Sequence, residues 1–273
     1  MLAERVRSKR RGREGVLVCV VGASGVVGRS LVPLLSQRGH EVRALVRSPE
    51  KCRGLADAGA EVEAFDLLEV GAAERLPGLL SGCGAVVHAA TAVPRDPSSP
   101  GAWDAETRLR TEGTRVLLEA SLSAGAGAYL QQSIVPAYPD GGERWIDEDD
   151  PLDASPERAE VVAPVRAMEA QVRSVDPERL HWTILRGGTL VGRGTAQDAT
   201  VARLRDGEET VPGDGEAFLP LVPVEDFAAA AEAAVRRAPR LDLQRERRAD
   251  PAGRVPGPPG RAHRRRDRPR AGA

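Results

Sequence analysis

Residues 20–35 read VVGASGVVGRSLVPLL and hold Gly22, Gly25 and Gly28 at the spacing G-x-x-G-x-x-G. The apolar run VLVCVV at 16–21 comes before these glycines, and apolar residues recur at helical spacing after them. Together these features predict a strand, a tight turn and a helix. Glycines at these three positions allow the turn itself, the close approach of a ligand and the close packing of helix on strand.

The predicted turn has the composition of a phosphate-binding site. The first N–H groups of a helix have no partner within the helix, and the helix dipole is positive at this end. A pyrophosphate would therefore bind to backbone N–H groups at the turn. The residues expected to supply them are Ser24, Gly25, Val26 and Val27. The alternative interpretation is a glycine-rich turn without a ligand, because 29 glycines make chance spacing frequent.

Apolar runs of strand length alternate with segments of helical periodicity over most of the chain. The predicted strands are residues 16–21, 40–47, 60–67, 84–91, 128–135 and 181–188. The predicted helices are residues 28–39, 49–59, 103–125 and 157–175. This alternation predicts an α/β fold with a Rossmann-type, doubly wound parallel sheet. Ligands of such folds bind at the carboxyl ends of the strands.

Composition bounds the class of protein. The chain has 273 residues, of which 41% are hydrophobic, and its formal net charge is −1, which argues against a protein-wide field for nucleic acid. No apolar run is long enough to span a bilayer, so a membrane protein is not expected. Its three cysteines, Cys19, Cys52 and Cys83, are odd in number and lack C-x-x-C spacing, which favours a reducing cytoplasm. No His/Cys/Asp cluster has metal-ligand spacing, so no metal is expected.

Both ends of the chain are rich in arginine. Residues 1–15 are expected to form a disordered basic leader; a signal peptide is the alternative, but a strand before the glycine turn accounts better for the apolar run. Residues 237–273 are rich in Arg, Pro and Gly without apolar periodicity, which predicts a disordered tail. A nucleic-acid-binding arm is disfavoured because this tail has no aromatic residue for stacking. A shifted reading frame is a further hypothesis for the abrupt change.

Two residues at predicted strand ends bear on the choice of dinucleotide. An acidic residue after the second strand would bind the ribose 2′-hydroxyl of NAD, but this chain has Arg47, which suits a 2′-phosphate. NADP is therefore favoured over NAD, and the alternative is a solvated surface arginine. Asp66 ends the third predicted strand, where its carboxylate could meet the adenine amino group or act as a capping residue.

Several segments in the same order resemble the short-chain dehydrogenase/reductase superfamily, in particular its atypical extended branch of NAD(P)-dependent epimerase/dehydratase-like proteins. They are VVGASGVVG at 20–28, FDL at 65–67, VVHAAT at 86–91, EGTRVLLEAS at 112–121, TILRGGTLVGRGT at 183–195 and VPVEDFAAA at 222–230. The resemblance implies a dinucleotide-binding domain, here residues 16–180, followed by the last sheet strand and a small substrate lobe, here residues 181–236. That lobe is expected to be incomplete, because the apolar strand and final helix of the family are not visible after residue 236. The cofactor contacts that the resemblance implies are Gly22, Ser24, Gly25, Gly28, Arg47, Asp66, Leu67, Ala89, Ala90 and Ser133.

The catalytic motif of the superfamily is missing. Its chemistry usually rests on a serine after the fifth strand and a Tyr-x-x-x-Lys pair on the next helix, which would fall near Val161 and Val165 here. The remaining candidates for catalysis are Ser133, near the family serine, and Tyr138, in the loop beside the expected nicotinamide site. The acidic run at 147–150 could supply a general base or be a solvated turn. His88 is expected to be a packing residue, although it ends a strand that faces the cofactor.

These observations predict an NAD(P)-binding oxidoreductase or epimerase-like protein that acts on a small carbonyl or sugar-like substrate. Any reaction would transfer a hydride to or from C4 of the nicotinamide. The first alternative is a non-catalytic NAD(P)-sensing regulator, similar to NmrA-like proteins, which the missing Tyr and Lys favour. The second is an inactive, truncated product. The long helices offer surfaces for a homodimer.

Overall fold

A computed structural model describes residues 15–94, 96–97, 99–208 and 218–237. The predicted leader and tail therefore lie outside the described residues, apart from their boundary positions. The predicted domain boundary between residues 180 and 181 stays a prediction.

Six parallel strands form the main sheet, in the order β3-β2-β1-β4-β5-β6. They are β1 (Leu17–Val21), β2 (Glu41–Val46), β3 (Glu61–Ala64), β4 (Ala85–His88), β5 (Ala128–Ile134) and β6 (His181–Gly187). This order confirms the predicted doubly wound α/β fold, with its topological switch between β1 and β4. The register sets His88 beside Gln131 and Ser133 beside Arg186, so these four residues meet at the carboxyl edge of the sheet.

Helices cover both faces of the sheet. They are α1 (Val26–Gln37), α2 (Arg53–Asp57), α3 (Ala72–Leu79), α4 (Asp104–Arg108), α5 (Thr114–Ser123), α6 (Ala159–Arg173), α7 (Ala196–Arg205) and α8 (Val224–Arg237). Apolar residues of α1 and α8 pack with Val18, Val20 and Ala44 on one face. Residues of α3, α5 and α6 pack with Cys19, Val86 and Tyr129 on the other. Burial of alternate strand residues on opposite faces explains the continuous apolar runs of the strands.

A separate two-stranded sheet follows β6 in the chain. Strand β7 (Thr189–Val191) pairs in parallel with β8 (Leu221–Pro223), and α7 lies between them in the chain. Thr195 caps α7, because its hydroxyl accepts a hydrogen bond from the Asp198 N–H at 3.2 Å. No helix among the described residues is both long enough and apolar enough to cross a membrane.

Several boundaries differ from the sequence prediction, and each difference has a local cause. Helix α1 begins at Val26, two residues before the predicted start, because Gly25 takes the capping position. Strand β3 ends at Ala64, so Asp66 lies two residues beyond it rather than at its end. Strand β4 ends at His88, so the residues from Ala89 onward belong to the loop.

Two helical segments differ more strongly. The stretch ERLPGLLSGC at 74–83 is absent from the predicted helices; its first half belongs to α3, in which Leu76 is fully buried although Pro77 and Gly78 disfavour a helix. The long helix predicted at 103–125 is interrupted by a π-helical turn, Leu109–Gly113. A Cβ at Gly113 would lie 2.9 Å from the Leu67 side chain, so this turn packs closely on the loop after β3.

Candidate functional site

The first glycine of the turn after β1 is required by both its conformation and its surroundings. Gly22 has φ of +84°, and a Cβ there would lie 2.4 Å from the Ala90 backbone nitrogen. The turn is closed by a hydrogen bond that the Gly25 N–H donates to the Gly22 carbonyl at 2.9 Å. Glycine at position 22 therefore lets the turn contact the loop after β4, so the predicted cofactor residues of the turn and of that loop lie close together.

The second and third glycines have different surroundings. A Cβ at Gly28 would lie 2.4 Å from Ala23 backbone atoms, so only glycine lets α1 pack this closely on the turn. A Cβ at Gly25 would meet only the Gly22 carbonyl oxygen, at 3.2 Å, and otherwise open space. The position that sequence analysis assigned to ligand approach is thus the one that the protein leaves open.

Backbone N–H groups without an acceptor in the helix follow Gly25 directly. The Arg29 N–H donates to the Gly25 carbonyl at 3.0 Å, so the N–H groups of Val26, Val27 and Gly28 have no acceptor within the helix. No side chain caps this end of α1. An open cradle with free donors at the positive end of a 12-residue helix fits the pyrophosphate of a dinucleotide.

Arg47 and Asp66 differ in how they are engaged. Arg47 is exposed one residue after β2 and makes no hydrogen bond or ion pair with the part of the chain that the structure describes. Asp66 Oδ1 accepts a hydrogen bond from the Leu68 N–H at 3.0 Å, within the loop after β3. Leu67 is buried and packs closely on the π-helical turn at Gly113. Arg47 is therefore free to bind an added anion.

A buried polar cluster joins the carboxyl ends of β5 and β6 to α6. Ser133 donates a hydrogen bond to Glu169 Oε1 at 2.6 Å. Arg186 donates through Nε to Glu169 Oε1 at 2.9 Å and through Nη2 to Glu169 Oε2 at 2.6 Å. The remaining terminal nitrogen of Arg186, Nη1, donates to the Tyr138 hydroxyl. Two predicted catalytic residues, Ser133 and Tyr138, thus belong to one network.

The electrostatics of this cluster fix its protonation states. Burial alone would raise the pKa of Glu169, but the hydrogen bonds from Arg186 and Ser133 outweigh it and hold that pKa below its usual value. The hydrogen bond to Glu169 raises the pKa of Arg186. Both groups are charged at neutral pH, and the Ser133 proton is directed at Glu169. Of the Ser133 and Tyr138 hydroxyl groups, only that of Tyr138 has a proton that no other residue of the cluster accepts.

Helix α6 carries no replacement for the Tyr-x-x-x-Lys pair at the expected positions. Val165 is fully buried in an apolar cluster with Ala137, Val162 and Met168. The Val161 carbonyl accepts a hydrogen bond from Arg110 Nη1 at 3.3 Å. One turn beyond Val165 on the same helix lies Glu169, so the polar residue on this part of α6 is an acid.

Comparison with known proteins decides the family. The model of the NAD dependent epimerase/dehydratase family matches residues 18–243. The chain belongs to this family. The match confirms the predicted superfamily and, together with a similar structure that contains NAD, supports the binding of a nicotinamide cofactor.

The proteins similar to this chain include enzymes and an assembly factor. The 3-diazoavenalumate denitrifying reductase of a Streptomyces species is 39% identical over 228 residues, which cover 80% of this chain and 71% of that reductase. Photosystem II assembly factor Ycf39 of Guillardia theta is 36% identical over 118 residues, 43% of this chain, and the match spans only about a third of its length, 35%. The structure of MoeE5 in complex with UDP-glucose and NAD superposes with a TM-score of 0.68 at 25% identity, covering 82% of this chain and 73% of that one.

Sequence analysis missed a buried ion pair beside the same edge. Glu106 of α4 pairs with Arg110 of the π-helical turn at 2.7 Å, and Glu106 Oε2 also accepts a hydrogen bond from the Ala92 N–H. The pair therefore ties the loop after β4 to α6 through the Val161 carbonyl. An acid and a base four residues apart on a predicted helix were the available signal.

His88 lies in a second buried network, which fixes its tautomer. The Gln131 side-chain nitrogen donates to the Gln132 carbonyl at 3.0 Å, so its oxygen faces His88 Nδ1, also at 3.0 Å. Tyr129 donates to the same Gln131 oxygen at 2.9 Å. Nδ1 therefore carries the proton, and Nε2 is a buried acceptor without a partner among the described residues. Burial lowers the pKa of His88 to about 4, which keeps the ring neutral at pH 7.

We expect this histidine to make the fold sensitive to acid. Because the folded pKa of about 4 lies below the usual 6.5, its contribution to stability is present above pH 6.5 and is lost as pH falls towards 4. The full loss is roughly 3 kcal/mol. Urea unfolding between pH 4 and 7 measures it, and His88→Gln should remove this part of the slope. An unchanged slope in the variant would contradict the burial of a neutral ring.

The acidic run at 147–150 forms an exposed turn. Asp150 accepts hydrogen bonds from Arg144 at 2.9 and 3.0 Å and from the Asp147 N–H at 2.9 Å. The hydrogen bond from the Asp147 backbone holds the pKa of Asp150 below its usual value, so it is a poor base. Within the described ranges, no group of three or more His, Cys, Asp or Glu residues is arranged to hold a metal ion.

Proposed function

We propose that this chain is an NADP-dependent reductase that delivers a hydride to a small electrophile. The observation that carries the proposal is the glycine turn: it leaves open space at Gly25, and the first three N–H groups of α1, which follow directly, have no acceptor within the helix. When bound there, the cofactor supplies a hydride from C4 of its nicotinamide. The chain's own residues hold the pyrophosphate at the turn and the adenosine between the loops after β2 and β3. The proposed cofactor contacts are Gly22, Ser24, Gly25, Val26, Val27, Gly28, Arg47, Asp66, Leu67, Ala89 and Ala90.

Arg47 supports NADP rather than NAD as the cofactor. Its guanidinium is exposed and unpaired among the described residues, and a 2′-phosphate offers it a bidentate partner that a 2′-hydroxyl does not.

We expect Arg47→Ala to raise the Kd for NADPH about tenfold and to leave the Kd for NADH nearly unchanged. A tenfold change corresponds to about 1.4 kcal/mol, close to the lower end of the range for one charge-assisted hydrogen bond. Fluorescence titration with both cofactors measures it. Arg38→Ala is the matched control, because Arg38 is an exposed arginine at the far end of α1. Equal effects of the two substitutions on NADPH would remove Arg47 from the site.

The substrate we propose is a small molecule with a hydride-accepting double or triple bond. A carbonyl becomes an alkoxide when it takes a hydride and needs a proton, for which Tyr138 is the proposed donor, with Ser133 in the same hydrogen-bond network. A diazonium group becomes neutral when it takes a hydride and needs none. The name of the 39% identical reductase contains a diazo compound, and a site without the Tyr-x-x-x-Lys pair suits such a substrate.

The test follows protein-dependent oxidation of NADPH in two arms. One arm uses a panel of aldehydes and ketones, the other an aryl diazonium salt, each against a blank without protein because diazonium salts oxidise NADPH unaided. We expect turnover in at least one arm, and Gly25→Ala as the control should lack it. Binding of NADPH without turnover in either arm would overturn the reductase proposal.

A non-catalytic NAD(P) sensor is the second candidate function. Val161 and Val165 favour it, because neither can transfer a proton, and Val165 fills an apolar core. A relative named as an assembly factor rather than an enzyme is consistent with it. Its signature would be a melting shift with NADPH and no oxidation of NADPH.

We also propose a cytoplasmic location, since Cys19, Cys52 and Cys83 are all free thiols. A homodimer stays a prediction from the helical surfaces.

A further inference from the structure

We propose that Arg186 positions Tyr138 as the proton donor for a carbonyl substrate, in place of the missing lysine. The proposal rests on the reductase function above and concerns the carbonyl arm of its substrates. It makes Tyr138 the catalytic residue and Arg186 a positioning residue that acts through it.

Glu169 fixes the orientation of the Arg186 guanidinium independently of the Tyr138 phenol. Two of its nitrogens are held by the Glu169 carboxylate at 2.9 and 2.6 Å, and Glu169 is itself only 3% exposed. A planar guanidinium held by two of its nitrogens has one orientation, so the direction of Nη1 is set. Nη1 donates to the Tyr138 hydroxyl, and the guanidinium carbon lies 4.8 Å from the centroid of the Tyr138 ring. Lysine has neither the fork nor the plane to make both contacts.

The phenol is fixed from the backbone side as well. The Tyr138 N–H donates to the Val135 carbonyl at 3.0 Å, and its own carbonyl accepts from Arg158 at 2.8 Å. Arg158 also pairs with Asp153 at 3.2 Å, which ties this loop to the start of α6. The loop after β5 therefore presents Tyr138 in one place, at the edge of the sheet where ligands of this fold bind.

The hydroxyl proton of Tyr138 remains available. Its oxygen accepts from Arg186, and none of the residues that the structure describes accepts a hydrogen bond from it. Ser133, by contrast, already donates to Glu169 at 2.6 Å. Tyr138 is thus the hydroxyl of the cluster that can donate to a ligand without breaking an existing bond.

The step balances as follows. The hydride supplied by NADPH forms a C–H bond at the carbonyl carbon, and the π electrons of the C=O bond move to its oxygen. The Tyr138 O–H bond breaks, and its proton goes to that oxygen to give the alcohol. The phenolate that remains faces the cation of Arg186, and water reprotonates it after product release.

Two single variants and their combination test the proposal. Tyr138→Phe should lower kcat for a carbonyl substrate by about 100-fold, the lower bound for loss of a general acid. Arg186→Lys keeps a cation for Glu169 but loses the second contact, and should lower kcat about tenfold. The double variant should be no slower than Tyr138→Phe alone, because Arg186 acts through the phenol. All three should keep the NADPH melting shift of the parent protein.

A spectroscopic readout separates positioning from a general loss of structure. The chain has only two tyrosines, so ¹³Cζ-tyrosine labelling gives two NMR signals, and Tyr138→Phe assigns them. Arg186→Lys should move the Tyr138 signal and leave that of Tyr129, which is buried in the His88 network, in place. Movement of both signals would mean a wider change of structure and would overturn the positioning role.

The two proposals fail in different ways. If the parent protein oxidises no NADPH with any carbonyl or diazonium compound, the reductase function fails and this inference falls with it. If the parent reduces a carbonyl and Tyr138→Phe does so at the same kcat, the inference alone is overturned. If the double variant has a lower kcat than Tyr138→Phe alone, Arg186 acts by another route and is not the positioning residue for Tyr138.

Discussion

Replacing Gly25 with alanine is expected to abolish most of the stabilisation by NADPH while the free energy of unfolding without ligand stays nearly constant. The added Cβ would touch only the Gly22 carbonyl oxygen at 3.2 Å, and the φ of Gly25, −71°, suits alanine. It would project into the space that a pyrophosphate needs. With NADPH at 100 times its Kd, the parent gains about 2.7 kcal/mol; a 100-fold weaker variant gains about 0.4 kcal/mol at the same concentration. Thermal melting with and without NADPH measures both quantities.

Gly22→Ala is the matched control for this experiment, and unlike Gly25→Ala it should destabilise the protein without ligand. Its φ of +84° is unfavourable for alanine, and the Cβ would lie 2.4 Å from the Ala90 nitrogen. We expect a loss of at least about 1–3 kcal/mol in the protein without ligand. If Gly25→Ala instead destabilises the free protein as much as Gly22→Ala does, the open space at Gly25 is not a ligand site.

Local sequence signals were sufficient for the fold and for the cradle. Strands β1 and β4 were readable because residues buried on both faces of a parallel sheet form continuous apolar runs. Glycine spacing identified the turn, and the structure gives Gly22 and Gly28 close contacts and leaves Gly25 open, in line with their assigned roles. These features depend on neighbours within a few residues, which a single sequence displays directly.

The polar network could not be read in the same way. Glu169 lies 36 residues from Ser133 and 17 from Arg186, and only the pairing of β5 with β6 and the packing of α6 bring the three together. In the sequence, Glu169 belongs to the helix on which the superfamily usually has its tyrosine and lysine, and Arg186 is one of many arginines. The helix α3 was missed for a related reason, since Pro77 and Gly78 oppose a helix that burial of Leu76 stabilises. Tertiary contacts decide such positions.

Polar side chains at the carboxyl edge of the sheet lie on the face that α5 and α6 cover. His88 with Gln131, and Ser133 with Arg186, are cross-strand neighbours on that face. Each has its hydrogen bonds to further buried residues rather than to solvent, so the edge is rigid before any ligand arrives. A rigid set of donors and acceptors is what a binding site for a defined small molecule requires.

The ion pair of Glu169 and Arg186 should be costly to break, because both side chains are largely buried. Glu169→Gln removes one charge and leaves a guanidinium whose side chain is only 12% exposed. Breaking a buried pair in this way costs about 3–5 kcal/mol, measured by urea unfolding at pH 7. The surface pair of Arg115 and Glu119, at 3.0 Å with both side chains more than half exposed, is the control: Glu119→Gln should cost less than about 1 kcal/mol.

A double variant and a pH series separate charge from packing. Glu169→Met with Arg186→Met removes both charges, and the loss should be smaller than for Glu169→Gln, because no buried charge is left unpaired. Because the pKa of Glu169 is held below its usual value, its contribution is present above the ordinary carboxyl range and is lost as pH falls through the lowered folded value. Glu169→Gln should remove that part of the acid slope. A double variant as unstable as the single one would mean that the cluster stabilises the edge by packing rather than by the pairing of its charges.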